Sequence, residues 1–234
     1  MSATHLTIQQ LEQCDWHWGL IRNGGGPLTL PELIAIKNNP AVIAAFAVDS
    51  WVKASGAVIH LVTSAQAAHI DALISEYGTL FVNRPMLAAW ICGESLFDAQ
   101  AINPNNQEAE KKPNVFERTD YGLVQIDGLY MSGHPGMAGL TQDEMIAKAL
   151  DPEWAIKDLV ATAEGLLAWS LTLSKEQLRD YAPRVVAFNA YNEGREGTLD
   201  AIARGDALLY GKNLAARVDQ FAALLKPQGG TPIL

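Results

Sequence analysis

Glu94 ends an apolar run, Met86, Leu87, Trp90 and Ile91, and follows Trp90 by one helical turn. Apolar neighbours disfavour the ionised carboxylate, so a glutamate placed this way can have a raised pKa and hold a proton near neutral pH. A general acid needs that property. A solvated glutamate at a helix end fits the same stretch equally well. Two later acids, Asp120 and Asp127, flank the segment Tyr121-Gly122-Leu123-Val124-Gln125-Ile126 and are candidates for a second catalytic carboxylate. Each reads equally well as a turn residue. Further along the chain, the pair Tyr191-Asn192 reads by itself as a buried aromatic followed by a helix-end Asn before Gly194.

Helices must carry most of these groups. Pro31 can begin a short helix through Lys37. Asn39-Pro40 reads as a cap and first-turn proline before Ile43, Phe46, Ala47 and Trp51. Ser64 opens a segment with Ile70, Leu73, Ile74 and Tyr77 on one face, stopped by Gly78, and Pro85 begins the helix that bears Glu94. Residues 98–118 read as a long polar loop, which in a compact domain is usually functional or mobile. Residues 121–126 predict a short strand, and Asp127-Gly128 a turn that closes a small hairpin at about 119–130. Thr141 to Glu144 and Ser174 to Gln177 have the form of capping boxes. Asp151-Pro152 starts a helix with a broad apolar face, Pro183 starts the one carrying Tyr191, and Leu214, Val218, Phe221 and Leu225 mark a final helix.

The expected fold class is therefore mainly α (α+β). Residues 1–80 read as an N-terminal helical region packed on the rest, residues 81–226 as the catalytic part, and 227–234 as a loose tail. At its N-terminal side, Thr7 can cap a run through Ile8, Leu11 and Cys14. Trp16 and Trp18 suit packing better than sugar stacking, and residues 23–27 form a glycine loop without a phosphate-binding signature.

Across 234 residues the chain is 49% hydrophobic and 18% charged, which suits a packed core and argues against wholesale disorder. Its net charge of -9 disfavours nucleic acid as partner, and any hold on an acidic polymer must be local. Cys14 and Cys92 have no metal-like spacing, and a disulfide framework is not expected; Cys92 reads as a small core residue. His5, His17, His60, His69 and His134 form no ligand cluster, so neither a metal nor another cofactor is implied. No apolar run approaches the roughly 20 residues of a membrane span, and the N-terminus lacks the pattern of a signal peptide.

Four short motifs stand in order: Glu94-Ser95, Gly122-Leu123-Val124-Gln125, Asp151-Pro152-Glu153-Trp154-Ala155-Ile156 and Ala190-Tyr191-Asn192-Glu193-Gly194. Together, over about residues 85–220, they resemble the soluble lytic transglycosylases and goose-type lysozymes of the lysozyme-like superfamily. The resemblance implies a lysozyme-like fold, cleavage of the β-1,4 bond between N-acetylmuramic acid and N-acetylglucosamine, and Glu94 as catalytic acid. It implies a substrate-binding set in which Ser95 helps position acid or substrate, Gln125 lines the cleft, Tyr191 lies near the glutamate and Asn192 follows it in the same turn. Asp127 follows the Gly-Leu-Val-Gln segment as an acid does in goose-type lysozymes. The earlier acid of those enzymes is out of register, with Phe116, Glu117 and Asp120 in its region. Val124 replaces the family's Met, and Ala155 its Asn.

The partner so implied is peptidoglycan glycan strands, with no nucleic acid and no membrane. Synthesis in the cytoplasm without a signal peptide, then action in the periplasm or on the wall after lysis, injection or non-classical export, is the expected route. A catalytically silent structural or wall-binding component of a phage or secretion assembly is the alternative, and chitin is an alternative glycan.

Overall fold

The structure, a computed structural model, describes residues 28–37, 56, 58 and 60–225. The expectations for the helices from Thr7 and Pro40, for Trp16 and Trp18, for the loop 23–27 and for the tail lie outside those residues.

The chain is mainly α-helical with one small antiparallel sheet. Helix α1 spans Leu30–Lys37, α2 Ser64–Tyr77 and α3 Arg84–Ser95; strand β1 is Ile102–Asn103, β2 Asp120–Tyr121 and β3 Ile126–Asp127; then come α4 Gly128–Gly133, α5 Gln142–Ala149, α6 Pro152–Leu171, α7 Lys175–Leu178, α8 Pro183–Arg204 and α9 Leu209–Leu224. Capping sets many of the starts. The side chains of Thr63, Thr141 and Ser174 each accept from the backbone N–H three residues on, and Gln66, Glu144 and Gln177 reach back in return. Asn83 caps α3 and Asp151 caps α6, each just ahead of a proline in the first turn.

Helix α3 is the axis. Every side chain from Met86 to Cys92 is buried, and Cys92 is a core residue as its sequence context suggests. Helices α9 and α2 pack against α3, while α8 packs against both α6 and α9. Trp90, Leu87, Ile91, Phe188, Phe221 and Leu123 are fully buried at the centre, each contributing roughly 1.5–3 kcal/mol relative to exposure. Leu30, Leu33, Ile34 and Ile70 belong to the same core. The described part of the first 80 residues is also tied by its backbone. Leu28 N–H donates to Leu224 O at 2.7 Å, and Val58 bridges Ile102 antiparallel.

The sheet order is β1-β2-β3, with Asn103 opposite Asp120, and Asp120 opposite Asp127. Two sequence expectations change here. Residues 121–126 form two strand ends joined by a turn, and that turn is Gly122 to Gln125, not Asp127-Gly128. Gly122 (φ 74°) and Gln125 (φ 51°) are both left-handed, and a Cβ on Gly122 would lie 2.2 Å from Ala149 O. Asp127 instead closes β3 and caps α4, its Oδ1 accepting from Leu129 N–H at 2.7 Å and Tyr130 N–H at 3.2 Å. Gly128 is needed because Phe116 O would meet its Cβ at 1.9 Å. Asp-Gly is thus a helix start under a crowded backbone, a context local sequence does not reveal. The loop 98–118 is less irregular than expected, since it holds β1 and a 3₁₀ turn at Asn106–Glu108.

Candidate active site

Glu94 sits half-buried in the last turn of α3. The chain then leaves the helix through two consecutive left-handed residues, Leu96 (φ 53°) and Phe97 (φ 68°). Non-glycine residues rarely adopt that conformation, and such strain gathers at functional sites. Tyr210, in the first turn of α9, donates its hydroxyl to Glu94 Oε1. Two turns further along α9, the guanidinium of Arg217 lies against Gly93, where a Cβ would come within 1.8 Å of Nη1. Burial lifts the Glu94 pKa to about 7, against the lowering effect of the Tyr210 hydroxyl and then of the Arg217 charge. The carboxyl is therefore half-protonated near neutrality.

Tyr210 and Arg217 were not legible as site residues. They lie on the same stripe of α9 as Leu214, Val218 and Phe221, and two polar residues on an apolar stripe were the available signal. Tyr210→Phe is expected to raise the Glu94 pKa further. A hydrogen bond to a charged group is worth roughly 1.5–3 kcal/mol, so a rise of about one unit or more follows, at 1.36 kcal/mol per unit. Titration of the Glu94 side-chain carboxyl by ¹³C NMR measures it, and an unchanged titration would remove Tyr210 from the site.

Ser95 and Tyr191 meet at the Gly122–Gln125 turn. Ser95 Oγ donates to Leu123 O at 2.7 Å, and Tyr191 Oη donates to the next carbonyl, Val124 O, at 2.9 Å. The Tyr191 ring stands edge-on to Trp90 with centroids 4.8 Å apart. Two motifs far apart in sequence, Glu-Ser and Tyr-Asn, are thereby pinned to the turn that a third, Gly-Leu-Val-Gln, forms beside the acid. Ser95 is 1% exposed and its hydroxyl is committed to the turn, so it acts on the site as a positioning residue. Gln125 Nε2 donates to Gly122 O at 2.9 Å.

Asp120 and Asp127 are direct cross-strand partners, so their Cβ atoms stand roughly 4.5–5.5 Å apart on one face. The sheet thus brings both acids together instead of choosing between them. Their environments differ. Asp127 uses Oδ1 as the α4 cap, and its Oδ2 accepts from Lys112 Nζ at 3.2 Å. Lys112 also pairs with Glu108 at 3.3 Å. Asp120 Oδ2 accepts from Asn103 Nδ2 at 3.3 Å, its one hydrogen bond among the described residues. Burial first, then the charges of Asp127 and Glu94, push Asp120 to about 8. Asp120 is accordingly a neutral acid at pH 7, and Asp127, with both oxygens engaged, is not a free base.

A cavity of about 590 Å³ opens alongside. Gln125, Asp127, Tyr130, Asp158, Tyr191 and Asn192 are on its wall. Glu94 and Asp120 are not; the cavity meets the acid cluster at Asp127 and Tyr191. Asn192 is exposed on the wall, as a substrate-facing residue must be. Sequence reading missed Asp158 and His134. His134 Nδ1 accepts from Gly136 N–H at 3.0 Å, which turns Nε2 toward Asp158 Oδ1 at 2.9 Å. Burial raises the Asp158 pKa, and the His134 contact holds it down.

Among the described residues, no group of three or more His, Cys, Asp or Glu side chains is placed to hold a metal ion, and no helix is long and apolar enough to cross a membrane. Compared with protein-family models, curated proteins and solved structures, the chain has no match.

Proposed function

We propose that this protein cleaves the β-1,4 bond between N-acetylmuramic acid and N-acetylglucosamine in peptidoglycan, with Glu94 as general acid. One observation carries the reading. An acid held at about pKa 7 stands beside the Gly-Leu-Val-Gln turn, to which the separate Glu-Ser and Tyr-Asn motifs are both pinned. These are the motifs by which the sequence resembles the lysozyme-like lytic transglycosylases and goose-type lysozymes. A glycan strand would lie along the cavity wall formed by Gln125 and Asn192 and reach Glu94 past Tyr191.

The state of the second carboxylate selects the product. Inverting hydrolysis needs an ionised base across the sugar ring, to activate a water. Asp127 is engaged on both oxygens, and Asp120 is neutral below about pH 8. Glu94 then works alone. Its proton passes to the glycosidic oxygen as the C1–O bond breaks. The resulting carboxylate takes the proton of the muramic acid 6-hydroxyl as that oxygen bonds to C1, and Glu94 ends protonated as it began. The product is a 1,6-anhydromuramoyl end, so lytic transglycosylation is favoured over hydrolysis.

Purified peptidoglycan incubated with the wild-type chain should release fragments with anhydro ends by mass spectrometry, and Glu94→Gln should release about 10³-fold fewer or none, a loss within the range of removing an essential acid. Because the acid must be protonated, kcat/KM should fall as pH rises through about 7. Reducing ends would replace the transglycosylase reading with a lysozyme one. Equal release by the two chains, or none by either, would remove Glu94 from catalysis.

A further inference from the structure

The cavity wall carries four charged side chains: Lys112, Asp127, Asp158 and Arg195. Three are matched. Lys112 faces Asp127, and Asp158 faces His134. Arg195 has no carboxylate partner among the described residues. One of its N–H groups donates to Gly165 O at 3.3 Å, and its guanidinium lies over the Trp169 ring at 5.4 Å. These contacts hold the guanidinium at the cavity and leave the rest of its donor fork without a partner among the described residues.

The backbone is shaped to present it. Gly194 interrupts α8 with φ 73° and ψ 166°, a conformation open only to glycine. The break falls between Tyr191-Asn192 and Arg195, yet all three line the cavity.

We propose that Arg195 is a carboxylate-binding subsite that makes this cavity select acidic glycans over neutral ones. This rests on the glycan-cleaving reading above and narrows it. A guanidinium fork matches a carboxylate bidentately. On a muramoyl glycan that carboxylate is either the lactyl group of a bare N-acetylmuramic acid or an acid of the peptide stem; a chitin chain offers neither. In a chain of net charge -9, a local unmatched cation is the means of holding an acidic polymer.

The test is equilibrium binding of the full chain, followed by tryptophan fluorescence, to three probes: N-acetylmuramic acid, N-acetylmuramoyl dipeptide and N,N′-diacetylchitobiose. At least one carboxylate-bearing probe should bind about tenfold or more tighter than the neutral disaccharide, as a charge-assisted hydrogen bond provides. Arg195→Gln should erase that preference, and Arg195→Lys should keep part of it. Tighter binding of the first probe identifies the lactyl group, and of the second the stem. Equal binding of all three, no binding of any, or a preference that survives Arg195→Gln overturns the subsite. Failure here leaves the peptidoglycan digestion result standing, and a failed digestion leaves this binding result to be read by itself.

Discussion

At pH 8, Glu94→Gln should be more stable than the wild-type chain by about 2–3 kcal/mol, and at pH 4 the two should be equal. The Glu94 pKa is about 7 in the folded protein against an ordinary 4.5. Below 4.5 the carboxyl is protonated in both folded and unfolded chains and costs nothing. Between 4.5 and 7 the folded chain binds the extra proton, so stability falls as pH rises, and the loss is complete above about 7. A shift of this size converts to about 3 kcal/mol at 1.36 kcal/mol per unit, reduced somewhat because the group is half-buried and partly solvated. The amide keeps an oxygen to accept the Tyr210 hydroxyl but is never charged. Urea midpoints at pH 4, 6 and 8 measure the difference. A gap that does not open with pH would mean that Glu94 is not held in the desolvated site described. The same substitution should abolish the proposed cleavage, so stability and activity are expected to move in opposite directions.

Gly211→Ala should cost on the order of 3 kcal/mol and disconnect the acid from its hydroxyl partner. Gly211 lies where α9 crosses α8. A Cβ there would stand 2.1 Å from Val185 O and 3.0 Å from Asn189 N. Both are backbone atoms, so relief requires the helices to part, which costs at or above the upper end of ordinary overpacking. Tyr210 is the adjacent residue and moves with α9. The expected result is a lowered denaturation midpoint together with an upward shift of the Glu94 titration. Gly133→Ala is the control, since nothing lies within 4 Å of its would-be Cβ; it should be neutral within about 0.5 kcal/mol. A Gly211→Ala chain as stable as this control would show that the helix crossing is not tight.

Much of the helical frame was legible because its signals are local. Thr141 and Ser174 with their partners three residues on, and Pro85 and Pro152 in first turns, act within a few residues of themselves. Glu94 was legible because its apolar run is contiguous. What stayed hidden depends on distant approach. The Asp127-Gly128 pair has the form of a turn until Phe116 O, from a preceding segment, is found against Gly128. Asp120 and Asp127 were alternatives in sequence, and only strand register makes them neighbours. The carbonyl that Ser95 holds, Leu123 O, lies 28 residues further on, and nothing beside Ser95 in the sequence points to it. Tyr210 and Arg217 carry no motif; α9 brings them to Glu94 by helix packing alone.

The Tyr210–Glu94 hydrogen bond spans 116 residues, and that separation has a consequence for biosynthesis. A nascent chain that has emerged only to residue 205 contains Glu94, Ser95, the Gly122–Gln125 turn and Tyr191, but not the helix that supplies Tyr210 and Arg217 or covers one side of α3. Partial chains are thus without a poised acid during translation, because non-local contacts of this kind form only after the intervening segment has folded. The fold delays the Tyr210–Glu94 contact until α9 has left the ribosome.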